Sequence, residues 1–198
     1  CAFQDCTSLT NITIPESVIK IGYDAFKGCT SLSSITIPES VTRIGASAFQ
    51  GCTNLKSISL LGSDLYLEVG YWCKDTFSGC TNLTKVKSGT NVASIGDKAF
   101  YNCKKLSSIT LSSKLTTIGK SAFYKCVKLK KITLNSKVKK IGSKAFYGCK
   151  NLKTITIKTK KLTSKNVGSN AFKGINAKAK IKVPSSKMKA YQKLLKSK

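Results

Sequence analysis

The chain has 198 residues, no histidine, and a formal net charge of +27 from 35 Lys and Arg against eight Asp and Glu. The absence of imidazole excludes Ser-His and Cys-His nucleophile pairs and most zinc chemistry. No run of 18 apolar residues occurs, so no membrane span is predicted. We therefore expect a protein that is not an enzyme and that has no cofactor and no metal.

A repeat dominates the sequence. One phenylalanine anchors each copy, usually in the dipeptide Ala-Phe, and successive anchors are mostly 23 residues apart. Three residues after the anchor comes a cysteine in seven of the eight copies, and six residues after it comes a leucine in the same seven. The anchors are Phe3, Phe26, Phe49, Phe77, Phe100, Phe123, Phe146 and Phe172. Apolar columns that share one period predict a solenoid in which stacked copies bury a common core.

Each copy reads as the same series of elements. In the first copy, Leu9–Ile14 alternates apolar and polar residues, as a half-buried strand does. A Pro-Glu-Ser turn and a short extended segment follow, and a glycine then marks a corner. The spacing of three between phenylalanine and cysteine predicts a short helical turn.

The third copy is five residues longer than the common period of 23, in the stretch from Leu60 to Phe77. Insertions in a solenoid fall in loops on one face and are often functional. Tyr66 and Tyr71 in this stretch are candidates for ligand contact, whereas Trp72 aligns with an inward column and is expected in the core. Cys73 takes the place of the corner glycine.

The C-terminal segment from Ser185 to Lys198 predicts a capping helix. Ser185 or Ser186 is the expected N-cap. One helical face would carry Met188, Tyr191, Leu194 and Leu195, which would cover the last copy. Binding of this basic amphipathic segment to a membrane is the weaker interpretation. The predicted domains are therefore a repeat domain over 1–184 and a helix over 185–198. The repeat domain begins in mid-repeat, so we expect that it belongs to a longer parent protein.

The pattern "AFxxCxxLxxIxIPxSVxxIGxxAF" resembles the BspA-type leucine-rich repeat, a family of bacterial surface proteins. The best copies are Ala2–Gly22, Ala25–Gly45, Ala99–Gly119 and Ala122–Gly142. The resemblance implies an α/β solenoid: a leucine-rich-repeat, horseshoe-like rod of eight repeats of about 23 residues, each with a parallel β-strand and a short helical turn. It also implies a secreted or surface-attached protein used in adhesion.

Nine cysteines in a secreted chain would usually suggest disulfides. Seven of them belong to a single inward column, where an odd number cannot pair fully and where a small soft side chain packs well. Ile175 fills the same position in the last copy. We expect reduced, buried thiols, with disulfides between adjacent copies as the alternative.

The charge is divided unevenly along the chain. Residues 1–97 carry seven Lys and Arg against eight acids, net −1, whereas residues 98–198 carry 28 Lys and no acid, net +28. This asymmetry favours an electrostatic hold on a polyanion such as an acidic glycan or wall polymer. The alternative is a solvated surface of biased composition. A composition of 34 Lys against one Arg argues against specific nucleic-acid recognition.

A binding surface is expected on the exposed face of the predicted strands, by analogy with leucine-rich repeats. The alternative is that Thr and Ser occur there only because exposed sheets favour them. With the two tyrosines of the insertion, the predicted ligand-binding residues are Tyr66, Tyr71, Thr110, Lys130, Lys131, Thr133, Lys153, Thr156 and Lys158.

These observations lead to three functional hypotheses. The first is a non-enzymatic adhesion or ligand-binding module, extracellular or on the cell surface, that binds a host extracellular protein or a glycan. The second is a structural spacer held against an anionic wall polymer or glycan by its basic C-terminal half. The third and weakest is a nonspecific nucleic-acid binder. The sequence leaves the ligand and the oligomeric state open.

Overall fold

The computed structural model of the protein describes residues 1–60, 74–87 and 92–196. It contains twelve short strands, a 3₁₀ turn at Ser185–Lys187 and one α-helix, α1 (Met188–Lys196). In chain order the strands are β1 (Lys20–Ile21), β2 (Ser34–Ile37), β3 (Arg43–Ile44), β4 (Ser57–Leu60), β5 (Lys85–Lys87), β6 (Ser94–Ile95), β7 (Ser108–Thr110), β8 (Thr117–Ile118), β9 (Lys131–Leu134), β10 (Lys140–Ile141), β11 (Thr154–Ile157) and β12 (Lys180–Lys182).

All strand pairs are parallel, and each described copy pairs with its neighbours in the stack. The longer strands form one sheet in the order β2-β4-β5-β7 and another in the order β12-β11-β9. The two-residue strands pair on another side of the solenoid, in the orders β1-β3 and β10-β8-β6. Within β9 and β11, buried residues alternate with more exposed ones, as the sequence predicts. The predicted parallel solenoid is confirmed.

The predicted strand Leu9–Ile14 is wrong as an element, because none of its residues is in a strand. Ile12 and Ile14 are partly buried and alternate with exposed neighbours, so the pattern itself was interpreted correctly. This segment belongs to the first copy of the given sequence and packs against the second copy. Its register with the second copy survives in one bond, from the Ser33 N–H to the Thr10 carbonyl (3.1 Å).

The core is a set of columns that run along the stack. All eight anchor phenylalanines stack face to face, with centroids 5.2–5.4 Å apart. The pair Phe49–Phe77, which brackets the longer third copy, keeps the same spacing of 5.4 Å. The insertion therefore leaves the register of the stack unchanged. Each such aromatic pair adds about 0.5–1.5 kcal/mol beyond the burial of its area.

The predicted helical turn after each phenylalanine is not a helix. In the second copy, Asp24 and Gly28, two residues before and after Phe26, both have positive φ (50° and 71°), which a right-handed helix does not allow. The N–H groups of Asp24, Phe26 and Gly28 instead donate to carbonyls of the next copy at 2.8–3.1 Å. Bonds to the next copy alternate with turn bonds inside the copy, such as that from the Cys29 N–H to the Phe26 carbonyl (3.1 Å), so this segment is a stack of turns.

The C-terminal helix covers part of the last copies through two side chains. Tyr191 is 1% exposed, and its hydroxyl accepts the Leu162 N–H (3.1 Å) and donates to the Thr159 carbonyl (2.9 Å). Leu194 is also buried, and Leu195 is partly buried. Met188 is 49% exposed, so the expectation that it belongs to the buried face is wrong. It lines an open cleft instead, together with Ile181, Val183 and Leu195.

The expected serine N-cap is also wrong. The 3₁₀ turn that precedes α1 begins after Pro184, and no side-chain hydrogen bond caps it. Proline fixes φ near −65° and can lead the chain into a helical turn without a side-chain acceptor.

Candidate functional site

The predicted strand-face residues are brought together by the register of three strands. Lys131 of β9 pairs with Thr154 of β11, and Thr154 pairs with Lys180 of β12. Because adjacent strands are about 4.8 Å apart, the Cα atoms of Lys131 and Lys180 are separated by roughly 10 Å. Both lysines are exposed. The result is a row of alternating charge and hydroxyl across the sheet.

A second row runs parallel to the first. Thr133 pairs with Thr156, and Thr156 pairs with Lys182. Thr133 and Lys182 are exposed, and Thr156 is partly so. Thr110 is exposed as well, but it belongs to β7 in the other sheet, where it pairs with Lys87. The structure therefore places Thr133 and Thr156 in the row and leaves Thr110 in a different sheet.

Further predicted lysines border these rows. The Lys153 N–H donates to the Lys130 carbonyl (2.9 Å), and the Lys180 N–H donates to the Lys153 carbonyl (2.8 Å). These bonds align the three residues at the N-terminal ends of β9, β11 and β12. At the other end, the Lys158 N–H donates to the Leu134 carbonyl (2.8 Å). Lys130, Lys153 and Lys158 are all exposed, so both borders of the strand face are positive. Tyr66 and Tyr71 lie outside the described residues, as do Trp72 and Cys73.

No carboxylate offsets this charge. Asp97 is the last acidic residue, so every copy that carries the strand rows contains lysine alone as a charged side chain. Within the described part of the chain the one ion pair is Lys27–Asp24 (3.6 Å), in the second copy. The C-terminal half therefore presents an uncompensated positive surface.

Another face carries an aromatic feature that the sequence analysis did not identify. Tyr101, Tyr124 and Tyr147 each follow the anchor phenylalanine of their copy by one residue. Their rings stack with centroids 4.8 and 5.1 Å apart and interplanar angles of 5° and 9°. All three are partly exposed. We call these three residues the tyrosine ladder. The signal in the sequence was the triplet Ala-Phe-Tyr, which occurs in three consecutive copies.

Lysines surround the tyrosine ladder. The ammonium of Lys98 lies 5.9 Å from the ring centroid of Tyr101, and that of Lys125 lies 5.5 Å from the ring of Tyr124. Both distances fall within the range of cation–π attraction, which contributes about 0.5–1 kcal/mol at exposed sites. These aromatic rings lie on the turn-forming side of the solenoid and not on the basic strand face.

A groove with a volume of about 630 Å³ lies at the corners of the C-terminal copies. Corner glycines of three consecutive copies, Gly96, Gly119 and Gly142, line it together with Lys120 and other residues. The backbone N–H of Lys120 donates to the Asp97 carboxylate at 2.6 Å. Asp97 is the one acidic residue among those that line the groove.

The cysteine column is structural. Each thiol from Cys29 to Cys149 donates to the carbonyl of the phenylalanine in the preceding copy at 3.0–3.1 Å. Burial raises the pKa of Cys52 and of Cys149 to about 12 and raises that of Cys126 well above its usual value. All eight described cysteines are free, and Cys1 and Cys6 are exposed. Buried thiols with raised pKa values are poor nucleophiles and poor metal ligands.

Residues 1–60, 74–87 and 92–196 contain no group of three or more Cys, Asp or Glu side chains placed to hold a metal ion. Within the same ranges, no helix is long and apolar enough to cross a bilayer.

Comparison with known proteins agrees with this architecture. The sequence profile described as the BspA type leucine rich repeat region matches residues 1–69 and 71–198, in six copies. The chain belongs to the BspA-type leucine-rich repeat family. A search of curated proteins finds no match.

Two solved structures are similar to this BspA-type chain. One is a leucine-rich repeat protein from Bacteroides ovatus, with 29% identity and a TM-score of 0.74 over 91% of this chain. The other is a leucine rich cell surface protein from Faecalibacterium prausnitzii, with 26% identity and a TM-score of 0.54 over 96% of this chain. This chain spans 49% of the first protein and 64% of the second.

Proposed function

We propose that this chain is a non-enzymatic ligand-binding module of a bacterial surface protein, and that its C-terminal half holds an acidic polymer by charge. The observation that carries the proposal is the continuous lysine surface from Lys98 onward, with no acid on any face. Polymers of repeating negative charge, such as acidic glycans or wall polymers, match a surface of this length better than a small ligand does. The surface location is supported by the family and by the Faecalibacterium protein, which is named a cell surface protein.

A binding role is also supported by what the chain lacks for catalysis. The sequence has no histidine, and its acids are confined to the first half. The described cysteines that are buried are protonated and hydrogen-bonded to backbone. Repeat solenoids of this class offer extended surfaces for partners rather than enclosed reaction sites.

The proposal is tested by measuring binding of the full chain to heparin, polygalacturonate and polyphosphate at low and at physiological salt. We expect binding at about 10 mM NaCl that weakens at least tenfold near 150 mM, where the Debye length falls from about 30 Å to about 8 Å. Neutral dextran is the negative control. If the chain binds none of the three polyanions at low salt, the proposal is wrong and the lysines are only a solvated surface.

A matched pair of variants locates the effect in the chain. Replacing Lys131, Lys180 and Lys182 by Gln removes three charges from the strand face of the basic half. Replacing Lys20, Lys56 and Lys85 by Gln removes the same number from the first half. We expect the first variant to bind each polyanion several-fold more weakly than the second, because only the first lies in the net-positive half. Equal loss in the two variants would contradict the assignment to the C-terminal copies.

A further inference from the structure

The tyrosine ladder is not required by the fold, since other copies place different residues at the same position. The residue after the anchor phenylalanine is Gln4, Lys27, Gln50, Ser78 or Lys173 in the remaining copies. Those copies stack with the same phenylalanine spacing as the tyrosine copies do. The tyrosines occur only in three consecutive copies of the basic half, where they form one continuous aromatic strip.

The ladder leaves its hydroxyls and ring edges available. No hydrogen bond joins the hydroxyl of Tyr101, Tyr124 or Tyr147 to another described residue. The centroid separations of 4.8 and 5.1 Å exceed the van der Waals contact distance of about 3.5–4.0 Å, so the nearly parallel rings are offset and each exposes an edge. A row of three phenol groups therefore runs along the solenoid axis, one per copy, with ring centroids 4.8 and 5.1 Å apart.

The geometry discriminates between classes of anionic polymer. Nucleic-acid bases bind aromatic residues by stacking on an open ring face. In the ladder, the facing sides of adjacent rings are occupied by each other, and no gap remains for a base between them. Hydroxyl donors, ring edges and nearby ammonium groups suit a chain of hydroxyl-bearing rings with acidic substituents. Tyrosine is well adapted to such a contact because it combines an apolar body with a polar tip.

We propose that the tyrosine ladder is the recognition site for a linear acidic polysaccharide whose sugar rings lie along Tyr101, Tyr124 and Tyr147. The ammonium groups of Lys98 and Lys125 bind its carboxylate or sulfate groups. This inference rests on the proposed function and adds a specific face and a chemical class of ligand. General charge attracts any polyanion to the basic half, and the ladder selects those built of sugar rings.

The test uses the full chain with two triple variants of the ladder. In the first variant all three tyrosines become Gln, the residue already present as Gln4 and Gln50. In the second variant all three become Phe, which keeps the stack and removes only the hydroxyls. The probes are polygalacturonate, which has rings and carboxylates, and polyphosphate, which has charge without rings. Circular dichroism and thermal melting confirm that each variant is folded.

We expect the Gln variant to bind polygalacturonate at least tenfold more weakly, because three net hydrogen bonds or ring contacts are lost. We expect its affinity for polyphosphate to change less than twofold, since no charge is removed. The Phe variant should lose several-fold in affinity for polygalacturonate and nothing for polyphosphate. The strand-face variant of Lys131, Lys180 and Lys182 serves as the matched control and should weaken both probes alike.

The outcomes separate the two proposals. If wild-type protein binds both probes and the Gln variant binds both as tightly, the tyrosine ladder is not the site, although the charge-based function stands. Equal weakening for both probes would also overturn ring recognition. Tyrosine-dependent binding of single-stranded poly(U) that exceeds binding of polygalacturonate would overturn the glycan assignment in favour of nucleic acid. Absence of binding to either probe by the wild type would overturn the proposed function together with this inference.

Discussion

At the residue scale, the cysteine column shows why one small side chain recurs at the same position in each copy. The site must fill a buried space and also satisfy the phenylalanine carbonyl of the preceding copy. A thiol does both, because it packs as a small hydrophobe and is a weak hydrogen-bond donor. Cys52, Cys103 and Cys126 are fully buried and donate at 3.0–3.1 Å. The column therefore contributes to packing rather than to redox chemistry.

Alkylation of the native protein should follow this burial. With iodoacetamide at pH 8, we expect Cys1 and Cys6 to be modified and Cys103 and Cys126 to be spared until the chain unfolds. The thiolate is the reactive form, and burial both blocks access and raises the pKa of Cys103 and Cys126 well above the usual value. Mass spectrometry of the digested protein measures each site separately. Modification of Cys126 as fast as Cys6 in folded protein would contradict the buried column.

At the scale of the element, the corner glycine is set by contact between copies rather than by a special backbone angle. A Cβ built on Gly119 would lie 2.6 Å from the backbone N of Asp97, closer than real contacts allow. A Cβ on Gly22 in the first copy would meet nothing within 4 Å. Neither glycine has a positive φ. A methyl group at this position would therefore clash where a preceding copy packs against it, as at Gly119. At Gly22, in the first copy, it would meet no atom.

This contrast predicts opposite effects of one substitution at two equivalent positions. Gly119→Ala should destabilise the protein by about 1–3 kcal/mol, because the methyl group forces adjacent backbones apart. Gly22→Ala should be neutral or stabilising by up to about 1 kcal/mol, since alanine reduces the entropy of the unfolded chain. Thermal or urea unfolding of the two variants measures both changes. Similar destabilisation in the two would show that the corner requires glycine for its own conformation.

At the scale of the whole molecule, repulsion between the lysines opposes the stacking of the copies that carry them. The copies after Asp97 carry 28 lysines around their common core, with no acid to offset the positive charge. Self-repulsion of this kind destabilises a compact state and weakens as salt screens it. The molecule tolerates the repulsion because its columns are apolar and continuous.

Stability should consequently rise with ionic strength. Between about 10 mM and 150 mM NaCl we expect the melting temperature to increase by a few degrees, the shift that about 1 kcal/mol produces in a chain of this size. Replacing the exposed Lys105, Lys128 and Lys150 by Glu should raise the melting temperature at low salt and reduce its dependence on NaCl. Differential scanning calorimetry at several salt concentrations gives both numbers. A melting temperature independent of NaCl in the wild type would mean that repulsion between the lysines does not affect the stability of the fold.

The period of the sequence was sufficient to predict the solenoid and the buried columns, and the resemblance to the BspA-type repeat added the parallel strands. Spacing alone identifies residues such as Phe100, Cys103 and Leu106 as one inward set, because a solenoid repeats its cross-section with its sequence. The register of β9 and β11 also followed, which is why Lys131 and Thr133 fall in rows with the residues of the next copy. Charge asymmetry, read from composition, is likewise independent of tertiary detail.

Only the tertiary structure showed which contacts form between adjacent copies. A spacing of three residues from Phe26 to Cys29 fits a helical turn, and the Cys29 N–H does bond to the Phe26 carbonyl (3.1 Å). The N–H groups of Phe26 and Gly28, however, bond to the next copy, and φ is positive at Asp24 and Gly28. The stacking of Tyr124 on Tyr101 and Tyr147 has the same origin, since these rings are 23 residues apart in sequence and meet only when copies stack. Sequence patterns report which side of a segment is buried. Contacts perpendicular to the chain, which set the turn geometry and create the tyrosine ladder, arise only when neighbouring copies come together.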